Sequence, residues 1–169
     1  MYFGTYDTVL DDKNRVTAPR KIRDTMDVLG HAVWYMARGY DHSISLFPQH
    51  VWNTIREHVN KYSSMDAKAL DFRRLLFASV TELRPDRQGR IPVPLHLREH
   101  AGLERDAVLI GVDEYLELWS RDHWRAFQER HQPQFKEMAT ALFSGTPGDG
   151  HSGVGSGQDM RNGERTNEA

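Results

Sequence analysis

The sequence predicts an α+β fold, mainly β, built from two pseudo-symmetric copies of one small strand-rich unit. The first observation is a motif that occurs twice, over residues 11–23 and 86–98: Asp-x-x-x-Arg, a short apolar stretch, Pro and a later Arg. The second observation is its spacing, because Arg90 follows Arg15 by 75 positions and the later arginines are separated by the same interval. A solenoid needs about three or more copies, so this pattern indicates a duplicated domain.

The first copy is predicted to contain, in order, strand, turn, strand, helix, strand, strand and helix. Asp and Asn accept local backbone hydrogen bonds and predict the turn, after which Arg15 to Ala18 is the returning strand of a hairpin. Pro19 and Pro48 mark helix starts, because proline suits the first helical turn. The elements are assigned to residues 5–10, 11–14, 15–18, 19–26, 32–36, 43–47 and 48 onward.

A helical connector separates the two copies. Ser63 and Ser64 are expected to interrupt one helix and cap the next, which runs to about residue 77. The second copy repeats the order of the first, and its elements are assigned to residues 79–83, 90–93, 94–102, 107–112, 115–119 and a last helix capped by Ser120. From Ser144 the chain is rich in Gly and Ser, so residues 144–169 are predicted to be a disordered tail.

The two copies are expected to fold as one unit, because an isolated hairpin is only marginally stable in water. Each copy would supply strands that the other lacks. The apolar residues expected between them are Val16, Ile22, Leu46, Ile91, Leu97 and Leu118. Trp52, Trp119 and Trp124 are expected to pack in the interior rather than to stack on bases.

Basic residues are concentrated in the two motifs, although the whole chain has a net charge of −2. Lys13 to Arg23 includes five Lys or Arg and no acid, and Arg84 to Arg98 includes four Arg with Asp86 alone. A two-stranded ribbon fits the DNA major groove, where guanidinium groups bind phosphates and guanine edges. The candidate DNA-binding residues are Lys13, Arg15, Arg20, Lys21, Arg23, Arg87, Arg90 and Arg98, with Asp11, Asn14, Asp86 and Gly89 organising the turns. The alternative is a ring-forming scaffold that binds protein partners, in which these arginines serve assembly.

The chain resembles the MraZ family, transcriptional regulators built from two SpoVT-AbrB domains. The resemblance covers Met1 to about Gln132 and rests on both Asp-x-x-x-Arg motifs, Phe3-Gly4-Thr5-Tyr6, Leu75-Leu76-Phe77-Ala78 and Glu117-Leu118-Trp119. It implies swapped-hairpin barrels, closed homo-oligomeric rings and binding to short direct repeats of double-stranded DNA in the promoter of the division and cell-wall gene cluster. It also implies that Asp11 with Arg15, and Asp86 with Arg90, form the DNA-binding motifs.

The expected domains follow from this resemblance: SpoVT-AbrB domains at 5–51 and 80–123, a connector at 52–79, a C-terminal helix at 124–143 and the tail at 144–169. Phe72, Leu75, Leu76 and Phe77 give the connector more apolar residues than one helix face needs, so they are expected to form part of the oligomer interface. The alternative for each of them is packing of the helix on the barrels of its own chain.

Two residues depart from the family pattern. Asn14 stands where the family usually has Gly, and Asn is the next-best residue for positive φ, so the turn is expected to persist with some strain. Ala18 stands where the family usually has a larger apolar residue, and is expected to loosen packing in the first copy.

No catalytic, metal or cofactor site is predicted, and no small-molecule substrate is expected. Cysteine is absent, and the nine histidines lack the spacing of a metal site. Gly148-x-Gly150-x-x-Gly153 matches a dinucleotide fingerprint but lacks a preceding strand and a following helix. No apolar run approaches the roughly 20 residues of a membrane span, and the N-terminus lacks a signal peptide. We therefore expect a DNA-binding regulator of the cytoplasm and nucleoid without a membrane partner.

Overall fold

The computed structural model describes residues 1–62 and 66–144, and it confirms the α+β class. The chain divides into two units at Pro133, and of the second unit only residues 134–144 are described. The first unit contains β1 (Tyr2–Val9), β2 (Arg15–Thr17), α1 (Arg20–Leu29), β3 (Trp34–Arg38), β4 (Ile44–Pro48), α2 (Gln49–Asn60), α3 (Ala67–Ser79), β5 (Thr81–Leu83), β6 (Arg90–Pro92), α4 (Leu95–Ala101), β7 (Asp106–Asp113), β8 (Tyr115–Ser120) and α5 (Arg121–His131). The second contains α6 (Phe135–Ser144).

Six strands form one antiparallel sheet in the order β1-β7-β8-β4-β3-β5. β1 of the first copy pairs along its whole length with β7 of the second copy. Conversely, β5 of the second copy pairs with β3 of the first, and β4 joins β8 at the centre. The prediction that each copy supplies strands to the other is therefore confirmed.

The two remaining strands, β2 and β6, form a separate antiparallel pair, which we call the ribbon. The predicted hairpin between residues 5–10 and 15–18 was wrong in its pairing, because β2 bonds to β6 instead of to β1. The exchange buries Val16 against its ribbon partner Ile91, which a hairpin within one copy would not provide. The ribbon therefore joins the motif of one copy to the motif of the other.

A single main core lies between the sheet and the inner face of the ribbon. All six core residues predicted from the sequence are at most 1% exposed: Val16, Ile22, Leu46, Ile91, Leu97 and Leu118. Trp34 and Tyr2 are the largest side chains in this core. Ala18 is 1% exposed, so its small side chain leaves no opening to solvent.

A smaller cluster packs α5 against the other face of β7 and β8. Trp119 is buried there, Trp124 is half-buried, and their ring centroids lie 5.5 Å apart. Trp52 is also buried, where its ring meets that of Phe77 edge to face. The prediction that these tryptophans pack in the interior is confirmed for Trp52 and Trp119, whereas Trp124 packs at the edge of its cluster.

Several helix boundaries differ from the prediction. α1 continues to Leu29, three residues beyond the predicted end, and stops at Gly30 in the left-handed conformation. Residues 63–65, including the predicted serine cap, lie outside the described residues, and the observed cap of α3 is Asp66, whose carboxylate accepts from two backbone N–H groups.

The predicted single C-terminal helix is interrupted by the short 3₁₀ helix Gln132–Gln134, because Pro133 has no N–H to continue an α-helix. Of the predicted tail, only Ser144, the last residue of α6, is described. Within residues 1–62 and 66–144, no helix combines the length and the apolar character that crossing a membrane requires.

Candidate nucleic-acid interface

Two turns of the same geometry precede the ribbon strands: turn 1 (residues 11–14) before β2 and turn 2 (residues 86–89) before β6. Each is closed by a backbone hydrogen bond from its fourth residue to the carbonyl of its aspartate, 2.9 Å for Asn14 and 2.7 Å for Gly89. The closing residues adopt positive φ, 56° at Asn14 and 72° at Gly89. The turn thus persists with Asn in the first copy, as expected.

The Asp11 carboxylate holds turn 1 and its arginine together. Its Oδ1 accepts from the backbone N–H groups of Lys13 and Arg15, both at 2.9 Å. Its Oδ2 accepts from Nε of Arg15 at 2.9 Å and from Nη2 at 2.7 Å. The hydrogen bonds from the Arg15 side chain contribute most, and those from the backbone N–H groups contribute less, to lowering the pKa of Asp11 to about 2. This carboxylate is therefore ionised at neutral pH.

Asp86 repeats this arrangement in turn 2. Its Oδ1 accepts from the N–H groups of Gln88 at 2.9 Å and Arg90 at 3.0 Å, and its Oδ2 accepts from Nε of Arg90 at 2.6 Å. The Arg90 backbone N–H and then its side chain lower the pKa of Asp86. Each carboxylate therefore holds the arginine of its own turn in one orientation.

The ribbon register places the two arginines on one face. Arg15 lies opposite Pro92, and Thr17 lies opposite Arg90. Because side chains alternate along a strand, these four residues share the outer face, whereas Val16 and Ile91 face the core. Two residues along a strand and one strand spacing put the Cα atoms of the arginines roughly 8 Å apart.

Each turn is also bonded to the other copy. The Ala18 N–H donates to the Gly89 carbonyl at 2.8 Å, and the Val93 N–H donates to the Asn14 carbonyl at 2.9 Å. These pairs are equivalent under the 75-residue interval, so the two turns are related by an approximate two-fold axis through the ribbon. Asp11 raises the pKa of Arg15 by its hydrogen bond, and Asp86 adds a weaker Coulombic contribution across the ribbon.

The other predicted cations surround this face with different partners. Lys21 Nζ lies 4.1 Å from the Phe3 ring centroid, and Arg20 is 3.7 Å from Asp24. Lys13 and Arg87 are exposed, and neither forms a salt bridge with a residue that the structure describes. Residues 11–23 and 84–98 together carry nine Lys or Arg and three Asp, against a net charge of −2 for the chain.

Arg23 and Arg98 occupy equivalent positions but have different partners. Arg23 Nη1 reaches turn 2 of the other copy and donates to the Gln88 carbonyl at 2.9 Å. Arg98 Nε instead donates to the Val93 carbonyl, five residues earlier in its own copy, at 3.2 Å.

The candidate set omitted Arg84, which lines a cleft together with Arg23 and Arg87. Arg84 lies at the start of the second basic stretch, and this position could have identified it as a candidate from the sequence alone.

The four predicted interface residues of α3 differ in exposure. Phe72 is 46% and Leu75 60% exposed, whereas Leu76 and Phe77 are half-buried. Phe72, Leu75 and Leu76 contribute to a mainly apolar cleft of about 430 Å³, which is also lined by Arg38, Gly39, Tyr40, Ser45, Phe47, Ile55, Tyr115 and Glu117.

Metal-ligating side chains do not converge in the part of the chain that the structure describes, where no group of three His, Asp or Glu could hold an ion. The glycine fingerprint at 148–153 lies outside the described residues.

The fold and the turns together define a class of protein: a duplicated domain whose copies exchange strands and present two Asp–Arg turns on one basic ribbon. The chain belongs to the MraZ family, whose model, described as "MraZ protein, putative antitoxin-like", matches residues 1–75 and again 76–144. The two matches correspond to the two copies identified by the repeated motif.

Relatives named "Transcriptional regulator MraZ" align with most of the chain. The relative from Heliobacterium modesticaldum is 36% identical over 142 residues, which is 84% of this chain and 96% of that protein. The one from Thermomicrobium roseum is 39% identical over 129 residues, 76% of this chain and 88% of that protein. The one from Syntrophomonas wolfei is 37% identical over 142 residues, 84% and 96% respectively.

Proposed function

We propose that this protein is a transcriptional regulator that binds double-stranded DNA through the outer face of the ribbon. The observation that carries the proposal is the placement of Arg15 and Arg90 on that face, each held by its own aspartate. Membership of the MraZ family and the name of its relatives support a regulator rather than an enzyme.

The paired aspartates leave the guanidinium groups able to bind DNA. A guanidinium carries five N–H donors, of which Arg15 uses two and Arg90 one on its aspartate. The side chains are 24% and 34% exposed, so the remaining donors are accessible. Because each group is fixed before binding, less conformational entropy is lost on contact. Such a fork suits guanine O6 and N7 or a phosphate.

The positive charge needed for DNA binding is local. The chain as a whole is slightly negative, so a single copy of the ribbon would bind DNA weakly at physiological salt. Several ribbons on one assembly would make each further contact intramolecular, and avidity would rise by roughly 10² to 10⁴. We infer that the protein forms a closed homo-oligomeric ring and binds several short direct repeats in the promoter of its own division and cell-wall gene cluster.

The apolar cleft at α3 is a reasonable interface for such a ring, because Phe72 and Leu75 are large, apolar and exposed. Head-to-tail contacts close into rings when their rotation permits. In this proposal residues 5–51 and 80–123 are the two SpoVT-AbrB domains, residues 52–79 are the connector, and the protein acts on the nucleoid in the cytoplasm.

The decisive experiment measures binding to DNA from upstream of the protein's own operon, with fragments that carry one or several direct repeats. Arg15→Ala combined with Arg90→Ala is expected to lower affinity at least about tenfold, because each lost base contact is worth ~1–3 kcal/mol. The salt dependence should also become shallower. Arg125→Ala, on α5, is the control, because this arginine pairs with Glu129 outside the ribbon.

Light scattering on the same samples reports assembly. Unchanged affinity and salt dependence in a correctly assembled double variant would refute the ribbon as the DNA-binding surface and favour a scaffold that binds protein partners. A stable monomer that binds one repeat as tightly as several would refute the avidity proposal.

A further inference from the structure

A cleft of about 380 Å³ lies beside turn 2, between α1 and the segment that leads into the turn. Three arginines line it, Arg23, Arg84 and Arg87, and they come from both copies. Met26 and Pro85 provide apolar surface between them. A concave site with several convergent cations is the kind of surface that binds a phosphate group.

The charges of this cleft are not neutralised internally. Among the described residues, the salt-bridge partner of Arg84 is Glu82, at a long 3.8 Å from Nη2, and the Arg84 side chain is 66% exposed. Arg23 uses Nη1 on the Gln88 carbonyl and keeps its other donors. Two carboxylates line the cleft, and one of them, Asp86, forms a salt bridge with Arg90. Asp27 is therefore the carboxylate that remains to offset the positive charge of the three arginines.

The equivalent positions beside turn 1 lack these arginines, although turn 1 itself carries the exposed Lys13, which corresponds to the uncharged Gln88. At the interval of 75 residues, Arg84 corresponds to Val9 and Arg87 corresponds to Asp12. The third position is Arg98, which donates to Val93 of its own copy. Duplication would copy surface charge to both sides, so arginines present at one turn alone are not explained by the repeat.

The difference at the third position has a structural cause in the turns themselves. A Cβ added at Gly89 would overlap with Cδ of Arg23 and lie 2.9 Å from its Cγ, so Arg23 reaches turn 2 because Gly89 has no side chain. Turn 1 has Asn14 at this position, a residue with a Cβ, and there Arg98 bonds within its own copy instead of crossing to the turn.

We propose that the cleft beside turn 2 binds a phosphate group of the DNA backbone and that the surface beside turn 1 does not. The proposal rests on the proposed function and adds that each chain holds DNA asymmetrically. Phosphate contacts fix the register of a protein on the duplex, whereas base contacts supply specificity. The two ribbon arginines can therefore read equivalent bases while one end of the ribbon is anchored more firmly.

The test compares Arg84→Ala combined with Arg87→Ala against wild type on the promoter fragment and on a scrambled duplex of equal length. Loss of one phosphate contact should make the slope of log affinity against log salt shallower by about 0.9. Affinity should fall by the same factor, about tenfold, on both duplexes, because a phosphate contact is independent of sequence. Arg125→Ala is again the control, since this arginine on α5 is 78% exposed and pairs with Glu129.

Two further variants sharpen the test. Arg84→Lys combined with Arg87→Lys keeps the charge and should retain most of the salt slope. Val9→Arg combined with Asp12→Arg places cations beside turn 1 and should steepen the slope. Thermal unfolding of every variant checks that the fold is intact.

The outcomes separate the two proposals. If wild type binds the promoter fragment and the double alanine variant keeps its slope and affinity, the cleft proposal is overturned while the proposed function stands. If the variant loses affinity on the promoter fragment alone, the arginines read bases, and the phosphate assignment is overturned. If wild type binds neither duplex, but inorganic pyrophosphate shifts the amide resonances of turn 2, the phosphate comes from a free anion and both DNA proposals are overturned.

Discussion

Replacing Gly89 by Ala is expected to destabilise the fold about twice as much as replacing Gly30 by Ala. The two glycines have nearly the same backbone conformation, with φ of 72° and 68°. They differ in their surroundings, because a Cβ at Gly30 would meet no atom within 4 Å, whereas one at Gly89 would overlap with Arg23. Gly30→Ala therefore isolates the backbone contribution.

The magnitudes follow from these contacts. An L-residue with a Cβ in the left-handed region costs ~1–2 kcal/mol, and the lower entropy of the unfolded Ala chain offsets ~0.4–1 kcal/mol of this. The net cost at Gly30 is therefore about 1 kcal/mol. At Gly89 the Arg23 side chain must move away, and its bond to the Gln88 carbonyl is lost. A net hydrogen bond contributes about 1 kcal/mol, so Gly89→Ala should cost about 2 kcal/mol.

Urea unfolding at one fixed protein concentration measures both variants, with equal m-values as the check on two-state behaviour. Combining each glycine variant with Arg23→Ala closes a double-mutant cycle. In that background the extra cost at Gly89 should disappear, because no Arg23 side chain remains to be displaced. Equal costs at Gly30 and Gly89 in the wild-type background would contradict the bracing of turn 2 by Arg23.

Two further predictions concern the ribbon. Ile91→Ala should lower the free energy of unfolding by ~2–5 kcal/mol, because this fully buried side chain fills the core beneath the ribbon. Thr17→Ala, on the outer face, should change it by less than about 0.5 kcal/mol. Similar losses for the two variants in urea unfolding would contradict the assigned faces. The pKa of Asp11 falls from an ordinary 3.8 to about 2, and that of Asp86 falls too, so their stabilisation is present above the unfolded pKa and is lost as pH falls from about 4 to about 2. Asp11→Asn combined with Asp86→Asn should therefore flatten the decline of Tm over that interval, and a Tm profile parallel to wild type would argue against the two Asp–Arg pairs as stabilising contacts.

Much of the fold could be predicted because the same motif occurs twice in the chain. The repeated motif established equivalent positions, and apolar residues at those positions, such as Val16 and Ile91, identified the core. Strand exchange followed from the marginal stability of a hairpin alone. The pairing partner of β2 could not be predicted, since three residues of alternating character carry no register information and the partner lies 75 residues away.

The interface was predictable in composition but not in contacts. Counting charges identified two basic stretches, yet the count could not show that Arg23 crosses to turn 2 while Arg98 stays within its own copy. Arg23 can cross because Gly89 has no Cβ, and this close approach involves an element distant in sequence. The importance of Arg84 likewise depends on the cleft it lines.

The pairing of β1 with β7 affects how the chain is made. Residues 2–9 are synthesised before their partner strand at 106–113, which follows about 100 residues later. At a synthesis rate of ~5–20 residues per second, β1 waits about 5–20 s with its backbone N–H and C=O groups unpaired. An unpaired strand of this kind can pair with another nascent chain. The same exchange that makes the two copies one folding unit thus makes the early nascent chain vulnerable to association with its neighbours on the ribosome.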